Sequence, residues 1–166
     1  EPLPIAATFS FRDTTGAALC DIARLDTMAS VVDAVNLLSD YSSRDFLRDR
    51  GETRDGSDER TLADLLVEQI EFADVVVINK ISEVNEETRR ELRRVVTALN
   101  PDARIWETDF GELPLSAILD TGLFDEAKAA RHPLWHKELY GSASHVPETE
   151  EYGIESFVYR ARRPFD

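Results

Sequence analysis

Apolar residues group along the chain in two distinguishable patterns. Val75-Val76-Val77-Ile78 is an unbroken, β-branched run bounded by Asp74 and by Asn79-Lys80, which predicts a strand buried on both faces. Residues 28–34 (Met-Ala-Ser-Val-Val-Asp-Ala) are short and nearly continuous in apolar character, and predict a second buried strand. Ala103 to Glu107 predict a third. Between the last two runs the period changes: Leu92, Val95, Val96 and Leu99 recur at helical spacing. Asn85 is placed to cap that helix, Glu86 and Glu87 fall in its first turn, Arg93 and Arg94 follow in accord with the helix dipole, and Asn100-Pro101 stops it. Strand, helix, strand over 74–108 predicts parallel pairing with a right-handed crossover.

The rest of the chain is patterned less sharply. Leu62, Leu65, Leu66, Ile70 and Ala73 share one helical face, in a helix expected to begin near Ser57 or Asp58. Residues 2–11 predict a short helix with proline in its first turn, followed by a loop around Asp13 to Gly16. Residues 40–60, rich in Asp, Arg, Ser and Gly, predict a mobile surface excursion. Leu115 to Leu119 and Leu123 to Ala130 predict helices, 132–152 an extended loop, and Phe157-Val158-Tyr159, flanked by Ile154 and Phe165, a last strand. There is no internal repeat. The fold class expected is α/β, a mostly parallel sheet flanked by helices.

Composition narrows the functions open to such a fold. At 166 residues, with 42% hydrophobic and 31% charged, the chain suits one domain with a buried core. The net charge of −14 argues against nucleic-acid and anionic-membrane partners, both of which call for a basic face. The single cysteine, Cys20, excludes an internal disulfide and is expected to be a small buried or half-buried residue. No apolar run approaches the roughly 20 residues that span a bilayer, so a cytoplasmic location is expected. The chain opens on Glu1 without an initiator Met, as a trimmed piece of a longer protein would.

Candidate chemistry concentrates at strand ends. In open parallel sheets ligands bind beyond the carboxyl ends of the strands. Asn79 there offers an amide that both donates and accepts, as base recognition requires, and Lys80 a cation; the bland alternative is a turn Asn followed by a solvated Lys. Asp33 ends the first strand at the same edge, where it can hold a water or a metal, or accept hydrogen bonds from a loop. Gly51 and Gly56 have the glycine spacing of a phosphate-binding loop, but Ser57-Asp58 follows and no lysine does, so the segment is not one. His132 and His136 are four apart, with His145, Glu148 and Glu150 beyond them; these are metal candidates, or solvated histidines, and Pro133 opposes a helix through the first pair. Arg160, Arg162 and Arg163 form a basic strip suited to ion pairing between domains.

Taken together, Glu1-Pro2-Leu3-Pro4-Ile5-Ala6, Ser30-Val31-Val32-Asp33-Ala34, Glu68-Gln69-Ile70-Glu71-Phe72-Ala73-Asp74 with Asn79-Lys80, and Glu148-Thr149-Glu150-Glu151-Tyr152-Gly153-Ile154 through Arg162-Arg163-Pro164-Phe165 resemble the CobW-type P-loop GTPases, in particular the zinc-metallochaperone (ZigA/YciC-like) branch. The resemblance implies a partial P-loop NTPase (G-domain) fold. It also implies a cytoplasmic GTPase that binds GTP/GDP with Mg²⁺ and couples hydrolysis to delivery of zinc, or of cobalt in cobalamin-related members, to a metal-dependent client protein. It assigns Asn79 and Lys80 to the guanine-recognising Asn-Lys-x-Asp motif, with Ser82 where the family has Asp. Residues 1–152 would then be the central, base-binding part of the GTPase domain, and 153–166 a terminal strand leading to a C-terminal domain. The strand, phosphate loop and Cys-x-Cys-Cys motif of the family would precede Glu1, leaving this chain with no catalytic residue of its own. The competing expectation is a non-enzymatic α/β interaction domain with an acidic surface.

Overall fold

The computed structural model describes residues 2–42 and 61–129. Three strands, β1 (Ala29–Asp33), β2 (Val75–Asn79) and β3 (Arg104–Glu107), form a wholly parallel sheet in the order β1-β2-β3. β2 is central because its run Val75 to Ile78 is buried throughout, whereas the flanking strands alternate with exposed positions. The register pairs Ala29 with Val75 and Val75 with Arg104, so all three strands end together, at Asp33, Asn79 and Glu107.

Two helices cover one face. α3 (Leu62–Glu71) and α4 (Glu86–Leu99) set Ile70, Leu92 and Val96 against Val32, Val76 and Ile78. α2 (Leu37–Tyr41) adds Leu37 to the same core. On the opposite face the cross-strand row Val31-Val77-Trp106 keeps its middle residue buried, while Val31 and Trp106 are exposed. A second apolar cluster lies at the amino ends of the strands: Leu3 and Ala6 of α1 (Pro2–Ala7) and Ala129 of α5 (Glu126–Ala129) pack with Leu25, Met28, Phe72 and Phe124. Asp26 ties it together, its carboxylate accepting from the backbone N–H groups of Thr121 (2.8 Å) and Gly122 (2.9 Å).

The strand–helix–strand unit is as the pattern predicts, down to the Asn85 side chain accepting from Thr88 N at 2.9 Å. Arg93 departs from its expected role: it sits more than a turn before the end of α4 and pairs with Glu107 instead of serving the last carbonyls. α3 starts at Leu62, not near Ser57 or Asp58, because Thr61 and Asp64 close a reciprocal cap, Thr61 Oγ1 accepting from Asp64 N (3.2 Å) and Asp64 Oδ2 from Thr61 N (2.8 Å). The helix expected over 123–130 begins only at Glu126, since the Asp125 side chain takes the N–H groups of Ala127 and Lys128. Only a 3-10 turn, Leu115–Ala117, stands where 115–119 predicted a helix. α2 had no counterpart in the pattern, and Cys20 is exposed rather than buried. Most of the 40–60 excursion, the 132–152 loop, the final strand and residues 153–166 as a separate unit lie outside the described residues. Among those described, no helix is long and apolar enough to cross a membrane.

Candidate functional site

The common carboxyl edge of the sheet opens into a cleft of about 440 Å³ lined by Val35, Asn36, Asn79, Lys80, Ser82, Glu83, Asp109 and Phe110. Three chain segments meet there because parallel pairing delivers all strand ends to one side. β2 contributes Asn79 and then turns sharply: Lys80 has φ +62°, the left-handed region that a residue with a Cβ enters at a cost of about 1–2 kcal/mol. A 3-10 turn over Ile81–Glu83 follows and presents Ser82. The loop after β3 contributes Asp109, Phe110 (φ +54°) and Gly111 (φ +68°). Two of the three non-glycine residues with positive φ among those described therefore line this cleft.

A hydrogen-bond lattice fixes these segments to one another. Thr108 N donates to Ile78 O (2.9 Å) and Ile81 N to Thr108 O (3.2 Å). Gly111 N donates to Asn79 Oδ1 (3.0 Å), and among the described residues the Asn79 amide N–H₂ has no acceptor. Ser82 gives both its N–H (3.0 Å) and its hydroxyl (2.9 Å) to the same oxygen, Oδ1 of Asp109. Lys80 Nζ lies 2.7 Å from Asp33 Oδ2, while Asp33 Oδ1 accepts from Val35 N (2.8 Å). The Lys80 hydrogen bond outweighs partial burial and holds the Asp33 carboxyl below its ordinary range. Phe110 is 94% exposed, a bare aromatic ring at the mouth of the cleft.

Asn79, Lys80 and Ser82 thus stand in one cleft, and Asp33 joins them as the partner of Lys80 and of a loop N–H. Lys80 is not a merely solvated turn lysine. His132, His136 and His145 lie outside the described residues, and among those described no group of three or more His, Cys, Asp or Glu side chains is placed to hold a metal ion. Glu107 turns away from the cleft: Arg89 and Arg93 of α4 bind its two oxygens. Asp109 and Phe110 carry no sequence motif of their own; the signal that finds them is position, immediately beyond the end of a parallel strand.

A model of the CobW/HypB/UreG nucleotide-binding domain matches residues 1–107, nearly two thirds of the chain. The chain belongs to this family. It is 47% identical over 167 residues to the zinc-regulated GTPase metalloprotein activator 1 of Dictyostelium discoideum, a match that takes in 100% of this chain and 35% of that protein. The chain thus spans about a third of that relative's length. The Zn(II)-bound YjiA GTPase from E. coli has the same fold over 75% of this chain and 31% of its own, with a TM-score of 0.53 at 22% identity. The family match ends at Glu107, so that Asp109 and Phe110 fall just beyond it.

Proposed function

We propose that this chain is the nucleobase-binding part of a GTP-binding, GTP-hydrolysing zinc metallochaperone of the CobW family. The observation that carries the reading is the cleft at the carboxyl edge of the sheet, where Asn79, Lys80, Ser82, Asp109 and Phe110 converge. Its donor set suits a purine: an amide with a spare N–H₂ for a ring acceptor, a carboxylate for ring donors, and an exposed aromatic face for stacking. The Lys80 stem, tethered to Asp33, adds an apolar surface to the same cleft.

Phosphate binding, Mg²⁺ and hydrolysis belong in this reading to parts of the whole protein other than these residues, since the 166 residues contain no G-x-x-x-x-G-K-[ST] segment. Zinc enters as cargo, a reading supported by the likeness to a zinc-regulated activator and to a Zn(II)-bound GTPase, with His132, His136 and His145 as candidate ligands. A client metalloprotein and a cytoplasmic location go with the same reading. The test is competition binding with a fluorescent guanine nucleotide on the full-length protein. Asn79→Ala is expected to weaken GTP by about tenfold, the worth of one well-placed hydrogen-bonding pair. Full-length protein that binds no nucleotide would refute the reading.

A further inference from the structure

Ser82 gives its backbone N–H and its hydroxyl to a single oxygen of Asp109, and among the described residues the other oxygen, Oδ2, has no partner. A carboxylate held by one oxygen at the lip of a cleft is oriented, and keeps acceptor capacity for a ligand. The rest of the lining agrees: the Asn79 amide keeps its N–H₂, and the Phe110 ring beside Asp109 is bare. Base chemistry then discriminates. Guanine presents two adjacent donors, N1–H and the C2 amino group, which a carboxylate accepts together. Adenine has an acceptor at N1 and no donor at C2. Xanthine keeps N1–H but carries a carbonyl at C2, which repels a carboxylate and welcomes an amide N–H₂.

We propose that Asp109 is the guanine-selecting carboxylate of this cleft and that Ser82 is its positioning residue. The turn after β2 supplies the hydroxyl and the loop after β3 supplies the charge. Residues 27 apart in sequence act as one recognition unit because β2 and β3 pair in parallel and end together. The proposal rests on the nucleotide-binding reading above and adds to it which residue chooses the base.

The test is competition of GTP, ATP and XTP (the xanthine nucleotide) against a fluorescent guanine nucleotide on the full-length protein. The wild type is expected to select GTP. Asp109→Asn is expected to lose at least about tenfold in GTP affinity and to gain XTP, since an amide matches the xanthine edge. Ser82→Ala is expected to narrow the GTP-to-XTP ratio, a readout that a loss of stability alone would leave in place. The exchange Ser82→Asp with Asp109→Ser is expected to restore GTP selection, and keeps the proposal open to test where a single variant folds poorly. Selection of GTP with XTP still excluded in folded Asp109→Asn would overturn this proposal and leave the nucleotide-binding reading standing. Wild-type protein that binds nucleotides without preferring guanine would overturn the proposal alone; no nucleotide binding at all would overturn both.

Discussion

Phe110 shows how much one residue can reveal once its surroundings are known. A phenylalanine 94% exposed with φ +54° forgoes burial worth roughly 1.5–3 kcal/mol and adopts a strained backbone as well. Asp109 on one side and Gly111, bonded to Asn79, on the other hold it there. If the ring stacks on a base, Phe110→Ala should weaken GTP and ATP alike by about 1–3 kcal/mol in nucleotide titrations, leaving their ratio unchanged, because every base has a π-face. A change in the ratio would mean that the ring does something other than stack. Lys80 is the counterpart on the preceding turn, its left-handed backbone accompanied by a 2.7 Å ion pair to Asp33 across the sheet edge.

At the scale of elements, one polar contact joins α4 to the end of α3 and another joins it to β3. Asn100, only 5% exposed at the end of α4, places its amide nitrogen against the carbonyls of Ile70 (2.9 Å), Glu71 (3.1 Å) and Ala73 (2.8 Å) at and just beyond the end of α3. Asn100→Ala should therefore cost about 1–3 kcal/mol in urea unfolding, as buried acceptors lose their donor. Glu107 ties β3 to α4. Burial pushes its carboxyl up, but Arg93 and Arg89 outweigh that and hold it below the ordinary glutamate range. A folded value below the unfolded one means that the unfolded state binds more protons as pH falls. The contribution is therefore whole above about 4.3, the unfolded value. It is lost as pH drops through the lower folded one. Glu107→Gln should flatten the acid limb of the stability curve below about pH 4 while lowering the neutral-pH midpoint; an unchanged acid limb would show the pairs to be inconsequential.

At the scale of the molecule, three parallel strands, one helix-covered face and a shared carboxyl edge form the cleft that we propose binds the base. Phosphoryl transfer rests on positioning and neutralising the phosphates, and the 166 residues contain no G-x-x-x-x-G-K-[ST] segment to do so. The 166-residue segment on its own should accordingly show no GTP turnover above buffer in a phosphate-release assay. Turnover comparable to the full-length protein would place the catalytic groups within these residues. The exposed Val31 and Trp106, either side of buried Val77, lie on the sheet face away from α3 and α4.

What was legible in the chain, and what was not, divides along physical lines. Apolar runs and helical periodicity made β1, β2, α4 and β3 legible in Val31-Val32, Val75 to Ile78, the Leu92–Leu99 stripe and Ile105, but burial only in part: the strand expected to be buried over 28–34 buries Val32 and leaves Val31 exposed. Family membership was legible too, because it rests on local segments such as Ser30 to Ala34 and Asn79-Lys80. A five-residue helix like α2 has too few turns to show a period, and the starts of α3 and α5 were decided by single side-chain caps at Thr61 and Asp125. The cleft was partly legible: Asn79, Lys80 and Ser82 are neighbours in sequence and Asp33 was expected at the same edge, whereas Asp109 and Phe110 carry no local signal. The sequence alone determined which residues are apolar enough to become strands. Only the parallel register, ending three strands at one edge, brought Lys80 to Asp33 and Ser82 to Asp109, since hydrogen bonds of that kind depend on distances that no local pattern encodes.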